Sequence, residues 1–407
     1  MYKAPLSFPA LTYRNFRLFW FGQLISLTGT WMHSAAQGWL VLKLTGSPFY
    51  LGLVGMAGSI PILLFTLAGG VAADRFHKRN IILLMQGILM LLAFTLAFLV
   101  TTGVVTIWHV LAIAFLIGTA HAFDIPARQS FFIELVGKKN LLNAIALNSA
   151  AFHGARTIGP AIAGLVIGYF GITVCFYING LSFIAAIIGL IKMRFDEDMR
   201  SRSRSKGLSK DFMEGLHYII GEPKVYKLIA LVGIISFFGF PYMTFLPVYA
   251  KDILETGATG LGILMGFAGA GAFAGAITLA MSEGISRKDI LLSVAGIIFS
   301  TALLTFSSSE TVWLSHVMLF FVGWGAVTQI ATANSLLQII IPDSLRGRVM
   351  SSFTMVFLGM ASLGNFAVGS LAYYLGTSTA LMISAALCLF VSLLIFLRKI
   401  GSEEYSQ

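Results

Sequence analysis

Charge is scarce in this chain: Asp, Glu, Lys and Arg make up only 11% of its 407 residues, against about 25% in a typical soluble domain. That excludes an ordinary water-soluble globule. Acids are scarcer still, 17 against 27 Lys and Arg, which leaves a net charge of +10 and a pI near 9.6. In a soluble protein such an excess would suggest nucleic acid, but in a chain this apolar it reads as basic loops on one side of a membrane, and no nucleic-acid partner is expected. Cysteine is limited to Cys175 and Cys388, each inside an apolar run, so a disulfide framework and a zinc cluster are both excluded. No G-x-x-x-x-G-K-[ST] phosphate loop or H-E-x-x-H helix occurs, which leaves ATP-driven pumping and zincin-type proteolysis without their motifs. Gly269, Gly271 and Gly275 are wrongly spaced for a dinucleotide fingerprint and follow no strand; with Gly262 and Gly266 they read as close helix packing. No nucleophile, base and orienting acid can be assembled from these motifs, so no catalytic site, metal or cofactor is expected and the chain reads as a non-enzyme.

What the chain has in abundance is apolar sequence, 57% of residues at a mean hydropathy of +0.87. A spanning helix needs about 20 apolar residues. Runs of that kind fall near 17–42, 49–73, 80–102, 107–127, 142–169, 172–193, 227–250, 258–282, 289–308, 311–333, 349–374 and 377–397. The reading is therefore an all-α integral membrane protein with twelve transmembrane helices. An even number of spans puts both termini on one side, where 24 of the 27 Lys and Arg residues then fall; Lys43 and Lys251 face the other side and Arg156 lies within a span. Because basic loops stay inside, both termini are expected in the cytoplasm and the protein in the cytoplasmic (inner) membrane. Met1 to Arg17 lacks the short apolar core of a secretory signal, so no cleavage is expected.

Three segments follow: a six-helix half over 1–193, a cytoplasmic linker over 194–225 and a second half over 226–407. Within the linker Arg200 to Lys206 (RSRSRSK) reads as flexible chain, with attraction to anionic lipid as the alternative. Phe212, Met213, Leu216, Ile219 and Ile220 recur at helical spacing, as in a surface helix or an extension of the seventh span. Sliding the chain by 205 residues lays the fifth span on the eleventh: Gly154, Gly159 and Gly164 fall on Gly359, Gly364 and Gly369. A shift of 209 lays Asp74 and Lys78 on Glu283 and Arg287. Two six-span halves running in the same direction form a repeat pattern used by transporters.

The loop after the second span reads Gly70-Val71-Ala72-Ala73-Asp74-Arg75-Phe76-His77-Lys78-Arg79 and resembles the GxxxDRxGRR signature of the major facilitator superfamily, departing at His77 and Lys78. Arg156-Thr157-Ile158-Gly159-Pro160 through Gly164 resembles the Gly-Pro motif of that superfamily's exporters. Phe123 to Gln129, Leu141 to Ala144 and Pro342 to Val349 resemble the branch holding enterobactin and macrolide exporters. The resemblance implies the major facilitator fold, two parallel six-helix pseudo-repeats that alternate access to a central site. It also implies export of amphipathic small molecules, drugs or siderophores, in exchange for protons, by a monomer in the lipid bilayer. Asp74 would latch the cytoplasmic side shut against the eleventh span near Arg348, in a gating set with Gly70, Arg75, Lys78, Arg79, Arg128 and Arg346. The alternative for Asp74 is a solvated turn that enforces topology.

Gln23, Ser26, Thr30, His33, Ser34 and Gln37 form a polar stripe on the first span, which either packs through interhelical hydrogen bonds or lines a wet path. In the superfamily the first, fourth, seventh and tenth spans surround the cavity. On that likeness Gln23, Trp31, His33, Gln37, His121, Asp124, Arg156, Tyr242, Trp324 and Gln329 are candidate lining residues. Arg156 either binds neighbouring carbonyls or holds an anionic or carbonyl-rich substrate. The acids map to loops, the chain's tail or span ends, with Asp124 the nearest to an exception, so His33, His121 and His153 are further proton-carrier candidates, or packing groups. Pro241 and Pro247 are expected to disturb the seventh helix. Readings that keep the fold are an importer or a lipid flippase, and one from another class is a receptor that binds without transport.

Overall fold

The structure, a computed structural model, describes residues 8–194, 217–281, 288–342 and 345–397. Among the described residues there are twelve long helices and no strand. In a bilayer each backbone N–H and C=O must be satisfied within its own segment, and a helix does this. The helices are α1 (Arg14–Thr45), α2 (Pro48–Arg75), α3 (Lys78–Thr101), α4 (Ile107–Val136), α5 (Lys138–Phe170), α6 (Ile172–Ile191), α7 (Pro223–Ile253), α8 (Gly257–Met281), α9 (Lys288–Ser307), α10 (Val312–Ile340), α11 (Arg346–Leu375) and α12 (Thr377–Leu397). Eleven are long and apolar enough to cross a membrane; α1, with its polar stripe, is the less apolar twelfth. A short helix, 217–221, precedes α7; Phe212, Met213 and Leu216 of the expected surface helix lie outside the described residues.

The helices of α3 show how lipid and core divide a span. Ile82, Leu89 and Leu96 recur every seven residues and are buried, while Leu84, Leu91 and Phe98 recur at the same interval and are exposed. One stripe meets neighbouring helices and the other has the apolar surface that acyl chains cover.

The chain forms two compact units, Met1–Gln37 with Pro61–Arg204, and Gly38–Ile60 with Ser205–Gln407. In the first, α3 packs on α4 and α6. Phe19 sits edge-on to Phe131 and Phe132, each at 5.8 Å, in a core that also holds Phe16, Ile82, Leu135, Val136, Ala144 and Leu190. This core extends α4 beyond the expected boundary near 127. Arg128 had marked a loop, but Ala127, Phe131, Phe132, Leu135 and Val136 keep helical spacing and are buried, so the helix continues to Val136. It breaks at Gly137, whose φ of 68° and ψ of 172° lie in a region open essentially only to glycine. The chain's start is tied down here too: the Ala10 N–H donates to Oδ1 of Asn143 (3.0 Å) and the Trp20 indole to the Leu147 carbonyl (2.9 Å).

In the second unit α10 packs on α8 and α9, and α9 on α12. A Cβ at Gly271 would overlap the Phe320 carbonyl and one at Gly323 the Ala268 carbonyl, so α8 and α10 touch backbone to backbone. The start of α2 belongs to this unit, with Gly52 against the Asn365 carbonyl of α11. Pro241 and Pro247 leave α7 continuous but widen it, through π-helical segments at Ile235–Gly239 and Tyr249–Ile253.

The 205-residue shift recurs in local geometry. Gly171 (φ 86°, ψ 164°) and Gly376 (φ 84°, ψ 154°) are the single residues joining α5 to α6 and α11 to α12. Thr106 and Thr311 precede α4 and α10 in extended conformation. Trp108 and Trp313 follow them, 68% and 66% exposed, in the end-of-helix position where aromatics anchor to a membrane interface.

Candidate transport site

The densest buried polar group lies in the first unit, where α1, α3 and α4 meet. Asp124 is 1% exposed and, among the described residues, is the only Asp, Glu, Lys or Arg that is fully buried. It stands well inside α4, not at a span end, which corrects the expectation that every acid maps to a loop, the tail or a helix end. The expectation failed because it closed the span at Ala127. Oδ2 of Asp124 takes an ion pair from Arg128, one helical turn on. Oδ1 accepts from Nε2 of Gln86 on α3 at 3.3 Å. Arg128 also donates to Oε1 of Gln23 on α1, and Oε1 of Gln86 accepts from Ser26 on α1 at 3.3 Å. The result is a closed polar ring through three helices. Nε2 of Gln23 and Nε of Arg128 face it buried and without a hydrogen bond. In an apolar surrounding the pair holds together, because removing one partner of a buried pair costs about 3–5 kcal/mol.

Pro126 lies two residues beyond Asp124. Having no N–H, it leaves the Ala122 carbonyl without its helical donor, and Gly69 of α2 comes so close to that carbonyl that a Cβ would overlap it. The second unit repeats the device: Pro241 has no N–H for the Phe237 carbonyl, and Gly364 of α11 packs on it.

The Gly-Pro motif meets α1 on the face of Thr28 and Trp31, beside the polar stripe. A Cβ at Gly159 would stand 2.7 Å from both the Thr28 carbonyl and Cβ of Trp31. Arg156 lies over the Trp31 ring at 5.5 Å, within the range where a guanidinium is attracted to an aromatic face. Pro160 and Gly164 are buried behind it. On the polar stripe His33 is buried, shares a hydrogen bond with Gln37 (3.1 Å) and stands edge-on to Phe176 at 5.0 Å. His121 interacts electrostatically with Asp124 and Arg128, and His33 with His121.

The loop-signature residues divide. Asp74 and Arg75 are exposed at the end of α2, and Gly70 has open space around it. Lys78 pairs with Glu134 of α4, while Arg79 donates to the last carbonyls of α6, Leu190 (2.8 Å) and Ile191 (2.9 Å). Lys78 and Arg79 thus fasten α3 to α4 and α6. In the second unit Arg346 and Arg348 open α11. Tyr242 is fully buried on α7, the Trp324 indole donates to Oγ1 of Thr278 (3.0 Å), and the Gln329 amide fills the space over Gly296 beside Ser392.

Gln86, Glu134 and Asn143 are the polar partners that the candidate set missed. Gln86 had a legible signal, as the lone amide in the apolar run from Ile81 to Leu92. Glu134 meets Lys78 of α3, 56 residues away in the chain, a pairing that no local spacing announces. Asn143 had no signal either.

Among the described residues no three His, Cys, Asp or Glu converge to hold a metal. The architecture is shared with solved transporters. The TM-score is 0.75 to a bacterial homologue of the human lysosomal transporter Spinster in its inward-facing, occupied conformation, with 13% identity over 95% of this chain and 97% of that one. It is 0.76 to a POT family transporter in complex with 5-aminolevulinic acid, with 11% identity over 96% and 97%. The fold is that of the major facilitator superfamily, and the chain is a multi-pass membrane transporter and not an enzyme. Residues 5–406 match the family described as transmembrane secretion effector, and the chain belongs to that family. Among its relatives are the multidrug efflux pump Tap of Mycolicibacterium fortuitum, 27% identical over 93% of this chain and 95% of that one, and the staphyloferrin A transporter of Staphylococcus aureus, 22% identical over 86% and 87%.

Proposed function

We propose that this protein exports amphipathic small molecules, drugs or siderophores, across the cytoplasmic membrane in exchange for protons. The observation that carries the reading is the seating of the Gly-Pro motif on α1, with Arg156 over Trp31 and Gly159 against Thr28. An aromatic ring and a guanidinium side by side suit cargo that is apolar on one face and polar or anionic on the other. A multidrug efflux pump and a siderophore transporter among the relatives support the cargo class. In this reading residues 1–193 and 226–407 form the two halves, which act in one monomer and alternate access around Gln23, Trp31, His33, Gln37, His121, Asp124, Arg156, Tyr242, Trp324 and Gln329. Asp74 and Arg348 close the cytoplasmic side, with both termini in the cytoplasm.

The test uses inside-out vesicles energised to be acidic inside, with a pH-sensitive dye, to which tetraphenylphosphonium, ethidium, erythromycin and a catecholate siderophore are added in turn. At least one compound is expected to release protons through the wild type, with the release lost in Arg156→Ala. Accumulation of a compound with no proton movement would refute antiport.

A further inference from the structure

We infer that Asp124 is the group that binds and gives up the coupling proton, and that its partner Arg128 transmits the change. The inference rests on the antiport reading above and assigns it to a residue. A coupling group has to be shielded from bulk water, able to change charge, and held by partners that can let it go. Asp124 meets the first condition as the sole fully buried Asp, Glu, Lys or Arg among the described residues. It meets the second as a carboxylate. Its partners come from three helices: Arg128 on α4 itself, Gln86 on α3, and through these Gln23 and Ser26 on α1. The titratable or charged groups in electrostatic reach of this cluster include Arg128 and His121 on α4 and, by way of His121, His33 on α1; the contact from α3 is the uncharged Gln86.

When a proton binds, one carboxylate oxygen takes it up and the negative charge disappears. Arg128, only 14% exposed, then keeps its positive charge with neutral acceptors alone to hold it, a state that low-dielectric surroundings disfavour. The ring relaxes when Arg128 is hydrated or finds a new acceptor, and that moves α4 against α1 and α3. Loss of the proton to the other side reverses the step. A cargo group that binds the Asp124 carboxylate itself competes with the proton for it, and two ligands that exclude each other exchange instead of travelling together.

The repeat supplies a second, independent observation. The 205-residue shift that aligns Thr106, Trp108 and Gly171 with Thr311, Trp313 and Gly376 carries Asp124 onto Gln329. Gln329 is also fully buried, at the same level of α10. The two halves therefore keep a polar side chain at one equivalent position, ionisable in the first and permanently neutral in the second. Helix packing alone would be served by an amide in both.

The test reconstitutes full-length wild type, Asp124→Asn and Asp124→Glu in liposomes and measures two rates with the four probes named above. One is accumulation driven by an imposed pH gradient; the other is exchange of labelled for unlabelled probe with no gradient. Asp124→Asn keeps the shape and the Gln86 contact but cannot titrate. It is expected to lose gradient-driven accumulation by about tenfold or more, in the range of a typical coupling effect, while exchange is slowed but stays measurable. Asp124→Glu is expected to restore accumulation with a displaced pH profile. Coupling that survives in Asp124→Asn but vanishes in His121→Gln would overturn this inference alone, and so would loss of exchange in both Asp124 variants, which would make the residue structural. A wild type that exchanges probe but ignores the pH gradient would overturn the antiport reading and this inference with it.

Discussion

Gly159 shows how one hydrogen in place of a methyl can set a site. Its backbone lies against Thr28 and Trp31, and this close approach lets Arg156 reach the Trp31 ring from the next turn of α5. Gly159→Ala is expected to force α5 from α1 and destabilise the protein by about 1–3 kcal/mol, the usual cost of overpacking, read as a lower melting temperature in detergent. Gly154→Ala on the same helix meets open space and should melt at or slightly above the wild type, since alanine is the better helix former. Lys78 and Glu134 give a second check at this scale, since their ion pair is only about one-fifth exposed. Lys78→Glu should lose stability, and adding Glu134→Lys should recover part of it, with a coupling of roughly 0.5–3 kcal/mol. The residue types in the site were legible in the sequence: Arg156, Trp31, Asp124, Gln23 and Arg128 were each named. Their grouping was not, because the side chains that meet are on helices far apart in the chain, and only helix rotation decides which of them face each other.

At the scale of elements, the spans were legible because about 20 apolar residues between polar breaks leave few alternatives to a helix in a bilayer. The errors lie where charge was read as a stop signal. Arg128 had closed the fourth span, yet its charge is held by Asp124 and Gln23 and the helix runs on to Val136. The true break is Gly137, where the backbone enters a region that costs other residues about 1–3 kcal/mol. Gly137→Ala is accordingly expected to lower the melting temperature although no side chain stands within 4 Å of the added methyl. The prolines act in a related way. Pro126 and Pro241 each leave a carbonyl without its helical donor, and Gly69 and Gly364 fill the approach to it. Sequence shows the proline and the glycine but not that they serve one contact.

Across the whole molecule, the uneven placement of Lys and Arg and the 205-residue repeat are both legible in the sequence. The repeat extends further than matching glycines in the fifth and eleventh spans suggest. It reaches the extended threonines ahead of α4 and α10, the interface tryptophans, the one-residue joints and the equivalent positions Asp124 and Gln329. What sequence left open was the polarity of the interior, since a buried acid and a loop acid look alike until the helix ends are placed. If the topology read from the charges holds, a reporter enzyme active only in the cytoplasm and fused after Gln407 should be active, and the same reporter inserted after Gly103 should be silent. The central claim is export. Its most direct test is the steady-state content of tetraphenylphosphonium, ethidium, erythromycin and a catecholate siderophore in cells with and without the protein, before and after a protonophore. Lower content of at least one compound in expressing cells, equalised by the protonophore, is the predicted result; higher content in expressing cells, or equal content of all four, would contradict it.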